Sequence, residues 1–92
     1  MTTIQPAADR PLVLSFDGVV LEVFRPGEGL RYHVSLIETL EIKTDKKGQH
    51  TLDINLANSY SNRGNAVDES AVSKVTRLIA EVNKAKASFR FD

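Results

Sequence analysis

The residues best suited to metal or acid–base chemistry in this chain of 92 residues are two histidines, His33 and His50. They fall in different predicted strands, and the chain contains no cysteine. Protein metal sites are built from several ligands at short, recurring spacings, which two distant histidines do not supply. We therefore interpret both as ordinary strand residues and predict neither a metal site nor a cofactor.

The candidate nucleophiles are serines, which need a neighbouring base and an acid that orients it. They cluster at positions 59–61, in a polar segment, and at positions 70–73, at the start of a predicted helix. Neither place has the strand-to-helix turn that exposes a catalytic serine. The paired acids Glu38 and Glu41 are explained as charge on a strand surface. The sequence thus favours a domain that is not an enzyme and has no catalytic residues; the alternative is an enzyme whose site forms only between subunits.

The polar segment from Ala57 to Ala66 is predicted to be a loop, because it is rich in Asn, Ser and Gly. It ends near a helix N-terminus, where free N–H groups can hold an anion. The simplest interpretation is a turn-rich connection with a solvated arginine. The functional hypothesis is a loop that contacts a partner or a small anion through Tyr60, Arg63 and Asn65.

Lysines surround a second predicted turn, at Lys43, Lys46 and Lys47. Such lysines keep a hairpin tip soluble and are also suited to binding phosphate. An alternative function is therefore small-anion or nucleic-acid binding by Lys46, Lys47, Arg63 and the helix N-terminus. Against nucleic acid, Lys+Arg and Asp+Glu both number 12, so the chain lacks the basic surplus that phosphate binding favours.

Composition and the start of the chain indicate the class of protein and its cellular compartment. Hydrophobic residues make up 41% and charged residues 26%, which is ordinary for a globular domain. The absence of cysteine excludes a disulfide framework, no apolar run is long enough to span a membrane, and the start of the chain does not have the pattern of a signal peptide. We expect a cytoplasmic protein with a flexible leader over residues 1–10 and one domain over residues 11–92.

The clearest structural signal is Asp17-Gly18 between two β-rich runs, which predicts a hairpin with a two-residue type I′ turn. That register pairs Phe16 with Val19, Leu14 with Leu21, and Leu12 with Val23. All these residues are apolar and share one face. The opposite face carries Val13, Val20 and Phe24, more apolar surface than a solvated face requires, and we expect it to contact a partner.

Three more strands are predicted at 30–34, 39–43 and 51–56, which gives an antiparallel meander of about five. A helix is predicted from Glu69 to Ala87 with Asp68 as its N-cap. Its apolar stripe is centred on Ile79 and contains Val72, Val75, Leu78, Ile79, Val82 and Ala85. The predicted fold class is therefore α+β, an open antiparallel sheet closed by one C-terminal amphipathic helix.

Three segments, 16–18, 31–42 and 47–52, followed by the closing helix, resemble the bacterial pleckstrin-homology-like (PH-like) superfold over roughly residues 11–88. The resemblance implies about seven strands before the helix, so five strands imply a half-barrel that is open or is completed by a partner chain. Families of this superfold bind phosphoinositides through a basic loop between the first two strands. Asp17-Gly18 is too short and has no basic residue, so this function is not implied. The resemblance instead implies binding of peptide or protein along an open sheet edge beside the helix.

We therefore expect a protein-interaction or assembly module whose partner is itself, as a homodimer, or another protein. Three features favour self-association: the unpaired sheet edge, the second face of the first hairpin, and Phe89 and Phe91 beyond the helix. Charges on the strands, such as Glu22 and Lys43, oppose it because they protect sheet edges.

Overall fold

A computed structural model describes residues 2–9, 11–57 and 61–88. Within these ranges the chain forms seven strands and one α-helix. The elements are β1 Thr2–Ile4, β2 Val13–Phe16, β3 Val20–Arg25, β4 Glu28–His33, β5 Ile37–Thr44, β6 His50–Leu56, β7 Asn62–Val67 and α1 Val72–Ser88. Short 3-10 turns, Val34–Leu36 and Glu69–Ala71, lie before β5 and before α1.

The strands form two antiparallel sheets. Sheet A has the order β1-β2-β3-β4, and sheet B has the order β5-β6-β7. The predicted α+β class, with antiparallel strands and one C-terminal helix, is confirmed. The predicted count of about five strands is too low, because β1 and β7 were not expected.

Strand β1 lies within the segment predicted to be a flexible leader. Thr2, Thr3 and Ile4 pair with Phe16, Ser15 and Leu14 of β2, and Ile4 is buried. The residues after β1 are also held, since Asp68 N donates to Pro6 O at 2.8 Å and Ala8 N donates to Asp68 Oδ2 at 2.8 Å. The leader prediction is therefore wrong for this part of the chain.

Strand β7 occupies the whole second half of the predicted loop, residues 62–66, so the loop prediction is wrong there. It pairs with β6 through a register shift between Leu52 and Ile54. At this irregularity the buried carboxylate of Asp53 accepts a hydrogen bond from Gly64 N at 2.9 Å, and Gly64 adopts φ +77°. A side chain of the neighbouring strand thus supplies an acceptor to the backbone of this polar strand.

The first hairpin forms, but with a wider turn than predicted. Phe16 pairs with Leu21 instead of Val19. The cause is Asp17, whose Oδ1 accepts hydrogen bonds from Val19 N and Val20 N at 2.8 Å each and stabilises an Asx-type turn. Because side chains alternate with period two, a shift of two residues leaves the inward face unchanged. The inward residues Leu14, Phe16, Leu21 and Val23 are all buried.

One cluster of buried apolar side chains joins both sheets and the helix. The helix contributes Val75, Leu78 and Val82, whereas Ile79, predicted to be its centre, is only half-buried. The predicted bounds are close to those observed. Asp68 occupies the N-cap position of the 3-10 turn that leads into α1, but its side chain makes no capping hydrogen bond and its carboxylate accepts from Ala8 N. Among the described residues, no helix has the length and apolar character needed to cross a membrane.

Candidate functional site

A polar cluster connects the two sheets beside the tip of the β3–β4 hairpin. Arg25, the last residue of β3, donates from Nη2 to Asn62 Oδ1 at 3.0 Å and to Asn65 Oδ1 at 2.6 Å. Asn62 Nδ2 donates to the hydroxyl of Tyr32 on β4 at 3.4 Å. These four side chains come from the consecutive strands β3 and β4 of sheet A and from the distant strand β7 of sheet B.

Asn65 is the buried member of this cluster, with 5% of its surface exposed. Its Nδ2 donates to Leu52 O at 3.0 Å and to Asn62 Oδ1 at 3.2 Å. Buried amides are tolerated when they are hydrogen-bonded in this way. The hypothesis that Asn65 is a partner contact is therefore not supported, because its amide is committed to the interior.

The cluster borders a surface groove with a volume of about 320 Å³. The groove is lined by Pro11, Leu12, Arg25, Pro26, Gly64, Asn65 and Ala66. Its walls are mostly small or apolar, and among the described residues that line it the charged group is the guanidinium of Arg25. Sequence analysis did not identify Arg25, because its only local signal is the Pro-Gly turn that follows it.

The outer face of sheet A is where the structure places Val13, Val20 and Phe24. Phe24 is 41% exposed and lies opposite Val13, whereas Val13 and Val20 are half-buried. The ring of Phe24 covers Gly29 on β4, since a Cβ at Gly29 would lie 3.7 Å from Phe24 Cδ1. The predicted partner surface is thus a small apolar patch around Phe24, with Val20 further along the same strand.

An ion pair lies between Phe24 and Val20 on this outer face. Glu22 and Arg31, which are cross-strand partners, are joined at 3.2 Å. The apolar character of the face is therefore interrupted at its middle.

Strand β5 is an edge of sheet B, with β6 on one side and no described strand on the other. The preceding 3-10 turn presents Leu36, which is 51% exposed, and this turn lies against α1. Lys86 of α1 donates to Glu38 O at 2.5 Å, which ties the helix to the first part of β5. The remaining edge runs from Thr39 to Thr44.

The structure separates the residues of the anion hypothesis. Arg63 donates from Nε to Asn55 Oδ1 at 3.0 Å, near the end of β6. Lys46 and Lys47 lie in the turn before β6, so at about 3.3 Å per residue they are more than roughly 15 Å from Asn55 along the strand. Tyr60 lies outside the described residues.

The helix N-terminus, the remaining part of the anion hypothesis, is flanked by acids. Asp68 and Glu69 stand at the 3-10 turn that precedes α1, where Asp68 binds Ala8 N and Glu69 binds His50. Negative side chains already occupy the region that an anion would approach.

A second polar group joins the β5–β6 hairpin to the start of the helix. The Thr44 hydroxyl and His50 Nδ1 are 2.7 Å apart, and His50 Nε2 bonds to the carboxylate of Glu69. The order of hydroxyl, imidazole and carboxylate is that of a nucleophile, base and orienting acid, but the two ring nitrogens have the reverse roles of those in the serine-protease triad. The same hydrogen bonds have a structural role, because they join the cross-strand partners Thr44 and His50 to Glu69 at the start of the helix.

The other histidine has a local structural role. Nδ1 of His33 accepts a hydrogen bond from Ser35 N at 3.1 Å and lies 2.8 Å from the Ser35 hydroxyl, which caps the 3-10 turn. The part of the chain that the structure describes contains no group of three or more His, Cys, Asp or Glu residues placed to hold a metal ion.

One carboxylate is perturbed by its hydrogen bonds. The N–H groups of Val20 and Val19 donate to Asp17 and lower the pKa of its carboxyl group. Hydrogen bonds to the charged form have this effect. The shift reflects the turn geometry and does not by itself indicate a reaction.

Comparison of the chain with models of protein families, with curated proteins and with solved structures gives no match. These comparisons therefore supply neither a family nor a function. A function has to be inferred from the surfaces described above: the Arg25 groove, the outer face of sheet A and the edge of β5.

Proposed function

We propose that this chain is a non-enzymatic protein-interaction module that binds an extended segment of another protein along the edge of β5, beside α1. The observation that carries the proposal is the position of β5 as a strand of eight residues at the edge of sheet B. An edge strand offers unpaired N–H and C=O groups, which an extended chain can pair with.

The junction of β5 with the helix supplies a side-chain anchor. Leu36 is an exposed large apolar residue directly before the strand. Ile42 of β5 and Ile79 of α1 are half-buried and pack against the core. A bound segment would gain backbone hydrogen bonds from Thr39 to Thr44 and apolar contact at Leu36.

The proposal includes membership of the PH-like superfold. It is supported by the seven strands that precede the helix, since the resemblance implies about seven. They form one sheet of four strands and one of three. Because the first two strands are β1 and β2, the segment that connects them is residues 5–12 and not Asp17-Gly18. It contains one Arg and one Asp, so it still lacks the basic character that phosphoinositide binding needs.

The test is selection of binding peptides from a random library, followed by mapping of amide hydrogen exchange. We expect selected peptides to slow exchange at residues 39–44. Leu36→Ser should weaken binding at least fivefold, because it removes the exposed anchor. Val19→Ser is the matched control, since Val19 is also an exposed apolar residue, at 38%, but lies in the β2–β3 turn.

Protection confined to sheet A, or equal losses in the two variants, would contradict binding at the β5 edge. Both variants replace exposed side chains, so we expect their stabilities to stay close to that of the parent chain.

Self-association remains a proposal for the outer face of sheet A. Among the described strands, the unpaired sheet edge is still present at β5, although the chain has seven strands instead of the predicted five. Phe89 and Phe91 lie outside the described residues. The remaining support is Phe24, whose exposed ring lies beside the Glu22–Arg31 pair, and two copies of such a face offer each other opposite charges.

Sedimentation equilibrium tests this second proposal. We expect the mass to rise above the 10.2 kDa of one chain as concentration increases. Phe24→Ser should reduce association, whereas Leu36→Ser should leave it unchanged. A mass of one chain up to high micromolar concentration would refute a homodimer without affecting the proposal for β5.

A further inference from the structure

We propose that the groove beside Arg25 binds a monocarboxylate with a short apolar tail. The C-terminal carboxylate of a peptide and a small free acid both have this chemistry. The site is separate from the edge of β5 and does not depend on the function proposed for that edge.

The first support is the orientation of the guanidinium. Both described hydrogen bonds of Arg25 use Nη2, and they end on the amide oxygens of Asn62 and Asn65. Asn65 is in turn held by Leu52 O in the buried interior. A guanidinium has five N–H donors, and those on Nε and Nη1 have no partner among the described residues. The group is therefore positioned before a ligand arrives, which lowers the entropic cost of binding.

The second support is charge. The ion pairs within the described residues are Glu22–Arg31, Lys43–Asp53 and His50–Glu69, and none includes Arg25. Its partners are neutral amides. Glu28 is its cross-strand partner at the hairpin tip, but the two do not form an ion pair. A carboxylate would supply the missing charge, and arginine–carboxylate pairs are among the stronger hydrogen-bonded contacts in proteins.

The shape and lining of the groove select the ligand. Its volume of about 320 Å³ is near the lower end of the range for small-molecule sites, which indicates a ligand of a few carbon atoms or one residue of a peptide. Pro11, Leu12, Pro26 and Ala66 provide apolar contact for the tail. A single guanidinium matches a monoanion better than a phosphate dianion, which requires more donors and more positive charge.

The test is a titration of the nitrogen-15-labelled chain followed by NMR. The probes are N-acetylvaline, its C-terminal amide, butyrate and inorganic phosphate. We expect saturable shifts at Arg25, Asn65 and Ala66 with both carboxylates and none with the amide. Tighter binding of N-acetylvaline than of butyrate would assign the site to a peptide C-terminus, and the reverse order would assign it to a free acid.

Variants separate this site from general charge effects. Arg25→Gln should weaken carboxylate binding at least tenfold. Arg25→Lys should retain part of the affinity, because lysine keeps the positive charge but lacks the planar set of N–H donors that pairs with both carboxylate oxygens. Glu28→Gln should strengthen binding, since it removes a negative charge from the residue opposite Arg25 at the hairpin tip. Arg31→Gln is the control, because Arg31 lies on the outer face of sheet A in an ion pair with Glu22.

The proposal is wrong if the acid and its amide produce the same shifts, or if phosphate binds more tightly than the carboxylates in an Arg25-dependent way. It is also wrong if Arg31→Gln weakens binding as much as Arg25→Gln. Should Arg25→Gln not fold, the comparison of acid with amide in the parent chain and in Glu28→Gln still decides the outcome.

Discussion

Replacing Asn65 with alanine tests whether the buried polar cluster stabilises the fold. The substitution removes the 2.6 Å bond from Arg25 and the 3.0 Å bond to Leu52 O, and it leaves both groups without that partner. A hydrogen bond to a charged group contributes about 1.5–3 kcal/mol and a neutral one about 0.5–1.5 kcal/mol. Because Arg25 is half-buried and the two bonds belong to one network, we expect a total loss of about 2–4 kcal/mol.

Urea unfolding provides the assay. At a slope of about 1–2 kcal/mol per molar urea, the expected loss lowers the midpoint by at least about 1 M. Asn55→Ala is the matched control: Asn55 also bonds to an arginine, Arg63, and to Thr39, but this network lies on the outer face of sheet B. We expect the control to lose less than about 1 kcal/mol.

A double-mutant cycle shows whether the loss comes from the contact itself. Arg25→Met, Asn65→Ala and the combined variant should give a coupling energy of about 0.5–3 kcal/mol, as contacting residues do. A coupling energy near zero would refute the contribution of the Arg25–Asn65 bond. A loss for Asn65→Ala no larger than that for Asn55→Ala would refute the stabilising role of the whole cluster.

Four further substitutions test the core and the first turn by urea unfolding. Leu78→Ala should lower the free energy of unfolding by about 2–5 kcal/mol, because Leu78 is 1% exposed. Ile79→Ala should lower it by roughly half as much, because Ile79 is half-buried. Equal losses for the two variants would contradict the orientation of the helix. Gly18→Val should cost about 1 kcal/mol or more, since Gly18 has φ +101°, and an unchanged midpoint would contradict that backbone conformation. The lowered pKa of Asp17 stabilises the fold above its unfolded-state pKa of about 4, and this contribution is lost as the pH falls through the lowered value. Asp17→Asn should therefore reduce stability at pH 7, and the difference from the parent chain should shrink as the pH falls below about 4; a difference that does not change with pH would exclude the linkage.

The elements predicted correctly from the sequence are those whose burial follows a local period. Alternation of apolar residues identified the hairpin of β2 and β3, as well as β5 and β6, and a helical stripe identified α1 within a few residues of its bounds. The wider turn at Asp17 did not disturb the inward face, because the register changed by an even number of residues. Periodicity therefore predicts which side chains face the core even where it does not predict the turn.

Strands β1 and β7 could not be identified in this way. β1 has three residues, too few to show a period, and its position depends on pairing with β2. β7 begins Asn-Arg-Gly-Asn, a sequence typical of a loop. It forms a strand because β6 supplies the carboxylate of Asp53 to Gly64 and the carbonyl of Leu52 to Asn65. Such partners are known only once the strands are paired.

The Arg25 groove depends on the same long-range pairing, because Gly64, Asn65 and Ala66 of β7 line it. The position of Asn65, opposite Leu52 and facing the interior, would take an apolar residue if the strand served only to extend the core. A buried amide is tolerated only with its hydrogen bonds made, so its presence ties the stability of β7 to the orientation of Arg25. The unfolding of Asn65→Ala therefore tests the buried part of this hydrogen-bond network, and the carboxylate titration of Arg25→Gln tests its part at the groove.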